Sequence, residues 1–130
     1  MTDAQPAQRW FIDLDWLGQH NRSFLALAQG CLCSKCTKKQ KGGGEPISPA
    51  ELISSIEDCC AKSSGFISDK LPILDSVFRL FLANGNRPLS LEELSKQLAK
   101  WRGDDSERTS VEILSRLLGD ERYYGLRQAS

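Results

Sequence analysis

The sequence predicts a mainly α protein: a helical, cysteine-stapled N-terminal part packed on a small helical domain with a short β-hairpin. Three observations predict it. Capping-box signals recur at Ser48/Glu51, Ser90/Glu93 and Thr109/Glu112, each leading into apolar residues at helical spacing. All five cysteines fall between Cys31 and Cys60. The chain closes on Tyr123, Tyr124 and Leu126, residues suited to a short strand or hairpin.

A chain of 130 residues suits one domain, or two very small ones sharing an interface. Lys+Arg and Asp+Glu both number 17, so no bulk charge drives binding to nucleic acid or to a membrane surface. Any nucleic-acid contact must come from a local patch. No apolar run approaches the roughly 18 residues that span a bilayer, and the first residues lack a charged-then-apolar leader. The expectation is a cytoplasmic protein without a membrane role. In that compartment thiols stay reduced, and clustered cysteines more often bind metal than form disulfides. Five is also an odd count for a complete disulfide set.

Residues 1–8 read as a flexible polar tail, and residues 9–66 as a cysteine-rich, metal-binding helical region. Trp10, Ile12, Leu14 and Trp16 alternate with Phe11, Asp13 and Asp15, a period of two that suggests extended chain. Asn21 or Ser23 caps a helix carrying Phe24, Leu25 and Leu27, and Gly30 ends it. The lysines and three successive glycines of 37–47 make a flexible loop. Ser48, Pro49 and Glu51 then open a helix with Leu52, Ile53, Ile56 and Cys60 on one face, stopped at Ser63-Ser64-Gly65.

Residues 67–130 form the second unit. Pro72 starts a helix burying Leu74, Val77, Phe78 and Phe81, and Asn84-Gly85-Asn86 ends it. Strand-like Arg87-Pro88-Leu89 leads to the Ser90 helix, which buries Leu91, Leu94, Leu98 and Trp101. The helix behind Thr109 carries Val111, Ile113, Leu114, Leu117 and Leu118. The order helix, strand, helix, helix, β is that of a small winged-helix domain.

Cys33 and Cys36 form a C-x-x-C knuckle, a spacing that points two thiolates at one ion while backbone N–H groups relieve their charge. Cys59 and Cys60 would supply the second pair from the end of the Ser48 helix. Neighbouring helical residues diverge by roughly a hundred degrees, so adjacent ligands require a frayed helix end. Cys31 or His20 is the alternative fourth ligand. The set suits a structural zinc ion, with an iron–sulfur cluster as the alternative. The competing reading makes Cys60 a small core residue.

An active site is not evident. His20 is the only histidine, with no orienting partner in sight, and Gly42-Gly43-Gly44 lacks the Lys-Ser/Thr of a phosphate loop. No small-molecule substrate is implied, and the expectation is a non-enzymatic protein.

Residues Leu89-Ser90-Leu91-Glu92-Glu93-Leu94 and Tyr124-Gly125-Leu126 resemble the helix start and closing strand of winged-helix modules in bacterial transcription-associated proteins, including the domain that begins the RNA polymerase delta subunit. The resemblance covers roughly the last sixty residues. The front half looks like a zinc-ribbon-type knuckle, and the whole layout resembles uncharacterised bacterial proteins. The resemblance implies that helix 109–118 enters the DNA major groove, with a wing near 122–127 and contacts from Ser110, Ser115, Arg116, Arg122 and Arg127. Glu112, Asp120 and Glu121 lie among them and make the face mixed. Lys35, Lys38, Lys39 and Lys41 are either a second foothold or a solvated loop. Three functions follow: a DNA-binding or transcription-associated protein, a protein–protein adaptor or accessory subunit, and an iron–sulfur redox sensor.

Overall fold

The strand suggested by Trp10 and Ile12 forms, and it becomes the centre of a sheet. A computed structural model describes residues 9–31, 48–62, 66–68, 70–102 and 109–128. In it β1 (Arg9–Ile12) lies between β2 (Leu89–Ser90) and β3 (Leu126–Gln128), antiparallel to both. Trp10 pairs with Leu89 on one side and Gln128 on the other. The closing strand therefore finds its partner near the start of the chain rather than in a hairpin. The architecture is mainly helical with this one small sheet.

Extended chain stops at Ile12, short of the Trp16 that the alternation suggested. Asp13 accepts a hydrogen bond from Trp16 N at 3.1 Å and caps α1 (Leu14–Gln19), so Leu14 and Trp16 are helical. Local capping outweighs a two-residue period carried by aromatics. Ser23 caps α2 (Phe24–Gln29), accepting from Ala26 N at 3.1 Å, and Gly30 ends it. Asn21 takes a left-handed turn, φ 58°.

Ser48 and Pro49 open α3 (Pro49–Asp58) as expected, with Ser48 Oγ accepting from Glu51 N at 3.2 Å. The helix ends at Asp58, and Cys60–Lys62 continue as one 3₁₀ turn. Pro72 precedes α4 (Ile73–Ala83), whose Val77, Phe78 and Phe81 are buried. Ser90 and Glu93 close a reciprocal capping box at the start of α5 (Leu91–Arg102). At α6 (Val111–Gly119) the cap is Ser110, not Thr109: Ser110 Oγ accepts from Ile113 N at 3.3 Å while Thr109 is fully buried. Among the described residues no helix is long and apolar enough to cross a membrane.

Ile12, Leu17, Leu52, Ile56, Phe78, Phe81, Leu94 and Leu114 meet in one core. Each such side chain contributes about 1.5–3 kcal/mol on burial. The core is thus shared by elements from both halves of the chain.

Two polar side chains and one close approach fix the sheet. β2 is only two residues long, so the open edge beside Ile12 is closed by a side chain. Asn86, at φ 62°, accepts from Ile12 N at 2.9 Å and donates to Ile12 O at 3.0 Å. Gly125, at φ 72°, lies so close to α1 that a Cβ there would stand 2.7 Å from Leu17 Cγ. Glu121 is 3% exposed. Its carboxylate accepts from Tyr123 N, Tyr124 N and, at 2.7 Å, Leu126 N, which shapes the approach to β3.

Candidate functional site

Two regions carry the chemistry that the sequence singles out: the cysteines, and the face made by α6 with the segment leading into β3. Cys31 follows the C-terminal end of α2, and Cys59 and Cys60 follow α3, which packs against α2. Cys60 is fully buried and Cys31 nearly so, while Cys59 is half-buried. Burial pushes the Cys31 thiol up to about 11; Arg79 opposes this, while Asp75 and Cys60 add to it. Cys31 Sγ donates to Leu27 O at 3.7 Å. Asp75 and Arg79, one turn apart on α4, form an ion pair at 2.8 Å beside this thiol.

The two cysteine segments therefore converge, with Cys60 close enough to act on the Cys31 charge. The α-helical path breaks at Cys59, so Cys59 and Cys60 do not follow one another on continuous α-helix. Cys33 and Cys36 lie outside the described residues, as does loop 37–47 with its lysines. Among the described residues no group of three or more His, Cys, Asp or Glu side chains is arranged to hold a metal ion. His20 caps the end of α1. Its Nδ1 is 2.8 Å from Trp16 O, and its ring stacks on Trp16 with centroids 4.0 Å apart.

On α6, Glu112, Ser115, Arg116 and Gly119 face solvent, while Leu114 and Leu118 point into the core. Ser110 is engaged as the helix cap. Arg122 donates to Gly119 O at 3.3 Å and to Glu121 O at 2.8 Å, so its positive charge closes the negative end of the α6 dipole. Arg127 donates to Glu121 O at 3.2 Å and lies over the Trp16 ring, 5.3 Å from its centroid. Ser115 and Arg116 thus stand outward from the helix, and Arg122 and Arg127 keep part of each guanidinium for a partner. Glu121, expected on this face, is instead internal, because its carboxylate serves three backbone N–H groups.

Comparison with protein-family models, curated proteins and solved structures returned no match to this chain. The geometry alone carries the functional argument. Sequence reasoning missed two charged residues that prove internal. Arg102 is 7% exposed and donates to Leu71 O at 2.8 Å, Ser76 Oγ at 2.9 Å and Ser68 O at 3.3 Å, tying α5 to the chain before α4. Glu121 is the other. No sequence signal marks Arg102. Glu121 had one: the backbone turn after α6 needs acceptors, and a carboxylate just beyond a helix end can supply them.

Proposed function

We propose that this is a non-enzymatic, nucleic-acid-binding protein of winged-helix type, transcription-associated, whose N-terminal part is stapled by a structural zinc ion. One observation carries the reading. The outer row of α6 presents Ser115 and Arg116, and beyond the helix end Arg122 and Arg127 both bond to the Glu121 carbonyl. With Glu121 removed from the surface, Glu112 and Asp120 are the carboxylates left on that row. The order α4, β2, α5, α6, β3 supports the winged-helix reading, with β1 taking the place of the second strand of a wing hairpin.

The zinc reading rests on Cys33 and Cys36 by spacing. It is supported by the convergence of Cys31 with Cys60 and by the break in the α-helical path at Cys59. A bound ion would stabilise the thiolate form of whichever ligands it takes and would tie α2 to α3. An iron–sulfur cluster on the same thiolates is the alternative.

Binding of a labelled duplex at low salt tests the nucleic-acid reading. Arg116→Glu should weaken it about tenfold or more, and affinity should fall steeply as salt rises. Absence of low-salt duplex binding, or no effect of the reversal, overturns it. Native mass spectrometry of protein from its own cells tests the rest, through one zinc per chain and any retained partner. A second reading, a protein–protein adaptor, is favoured by the mixed charge of Glu112 and Asp120 and by the bonds already made by Ser110, Arg122 and Arg127. A stoichiometric protein partner in the same spectrum would select it.

A further inference from the structure

Beyond α6, the surface carries a second pattern. α1 and the turn after it run alongside the segment 122–128, held by Asp13 N donating to Gly125 O at 2.8 Å. Along this seam cations and aromatic rings alternate. Arg127 lies over Trp16, Trp16 stacks on His20, and Arg22 lies over the Tyr123 ring, 4.6 Å from its centroid. Tyr123 is 49% exposed, the one large hydrophobic side chain so exposed among the described residues. Tyr124 supports it edge-on at 4.9 Å.

At one end the strip opens into a cleft of about 420 Å³ lined by Trp10, Asp13, Leu118, Gly119, Arg127 and Gln128. Asp15 and Asp120 flank the strip and are exposed; Asp13 is engaged as the α1 cap. The strip itself carries Arg22, Arg122, Arg127 and His20.

We propose that this seam binds a single strand of nucleic acid, with Tyr123 as the stacking surface for an unpaired base and Arg22, Arg122 and Arg127 as phosphate contacts. The proposal rests on the reading of the protein as nucleic-acid-binding and extends it from duplex to unpaired strand. Three features favour a single strand over duplex. An exposed aromatic face has no use against a stacked duplex, whose bases are covered. Bases in a single strand are free to stack on tyrosine and tryptophan, with little dependence on sequence. The Arg22 guanidinium held over the Tyr123 ring sets a positive charge beside the exposed aromatic, where the phosphate of a stacked nucleotide would lie. The seam also continues from the end of α6, so a strand separating from a duplex held on α6 would run onto it.

Fluorescence anisotropy of the full chain with a labelled oligothymidine, a duplex of equal length and a polyglutamate competitor tests this. The expected result is tighter binding of the single strand than of the duplex. Tyr123→Ala should weaken single-strand binding about tenfold with no change in salt slope, and Tyr123→Phe should restore it. Arg22→Ala should reduce the slope by about 0.7, as one lost phosphate contact on a single strand requires. Both side chains are exposed, and unchanged melting of the variants would separate binding from folding. Arg116→Glu should leave single-strand binding within about twofold while weakening the duplex.

Single-strand binding that ignores Tyr123 and Arg22 overturns the proposal. So does displacement by polyglutamate as effective as by unlabelled strand, which would mark the seam as a site for acidic protein. Duplex binding sensitive to Arg116 but not to Tyr123 leaves the α6 reading standing and removes this one. Loss of single-strand binding in Tyr123→Ala, with no duplex binding at all, does the reverse.

Discussion

The molecule closes its N-terminal segment onto the rest at two places, and they are built from opposite chemistry. At the sheet, closure is polar: β1 bonds to strands on both sides, Asn86 satisfies Ile12, and Glu121 satisfies three N–H groups. At the cysteines, the surroundings are largely apolar, with the Cys31 thiol donating to Leu27 O. Cys31 and Cys60 sit in the core beside one another, and burial holds the Cys31 thiol in its protonated range. The comparison teaches that the sheet needs no ligand to hold together. At the cysteine end, the proposed zinc ion would add a cross-link between α2 and α3.

Removing the internal carboxylate breaks the sheet end most severely. Glu121→Ala leaves the N–H groups of Tyr123, Tyr124 and Leu126 without their acceptor, and each buried orphan costs about 1–3 kcal/mol. The expected loss is about 3–5 kcal/mol by urea denaturation, allowing for partial access of water. A loss below about 1 kcal/mol would mean that strand pairing alone shapes the turn.

Metal removal should break the other end. Under the zinc reading, chelation lowers stability by about 2–4 kcal/mol, the range for releasing a cross-link across a loop of this order. Cys36→Ser should reproduce it, and chelator should then have no further effect. Unchanged melting on chelation would leave the cysteines as core residues only. The two ends should also be independent, so chelation should cost Glu121→Ala and wild type the same within about 0.5 kcal/mol.

Gly125→Ala is the next step down. Its positive φ is strained for any side chain, and the added Cβ would lie 2.7 Å from Leu17 Cγ. We expect a loss of about 2–3 kcal/mol from strain and overpacking together. Leu17→Ala in the same chain should recover part of the steric portion, separating contact from backbone strain.

The two ends also differ in how far the sequence exposes them. Helix starts at Ser23, Ser48 and Ser90 were legible, because a cap and its apolar stripe lie within a few residues. The third box was read one residue early. Thr109-x-x-Glu112 is the complete box locally, and the cap passes to Ser110 because Thr109 is drawn into the interior. The place of β1 was not legible, since pairing across more than seventy residues leaves no local trace. Nor were Glu121 and Arg102, charged side chains whose default is the surface. Of the candidate contacts, Ser115 and Arg116 stand exposed as expected, while Ser110, Arg122 and Arg127 carry structural bonds that a one-dimensional reading cannot see.

The smallest expected effect sharpens the contrast through pH. Glu93 Oε1 accepts from Ser90 N at 3.0 Å, where β2 turns into α5. That backbone hydrogen bond holds the Glu93 carboxyl below its usual range, with desolvation opposing and the Ser90 hydroxyl and Arg9 assisting. A depressed carboxyl stabilises the fold fully above its unfolded pKa of about 4.3, and that contribution is lost as pH falls through the lower folded value. Glu93→Gln keeps an acceptor but removes the charge, so it should cost less than about 1 kcal/mol at neutral pH, the side chain being exposed and screened. The difference between wild type and variant should shrink toward zero as melts are taken from about pH 6 down to about pH 2. A gap that stays constant over that range would assign the effect to lost geometry rather than charge. Acid sensitivity from a depressed carboxyl belongs to the sheet end; acid release of a thiolate-bound zinc would lower wild type and variant alike, so the difference between them isolates Glu93.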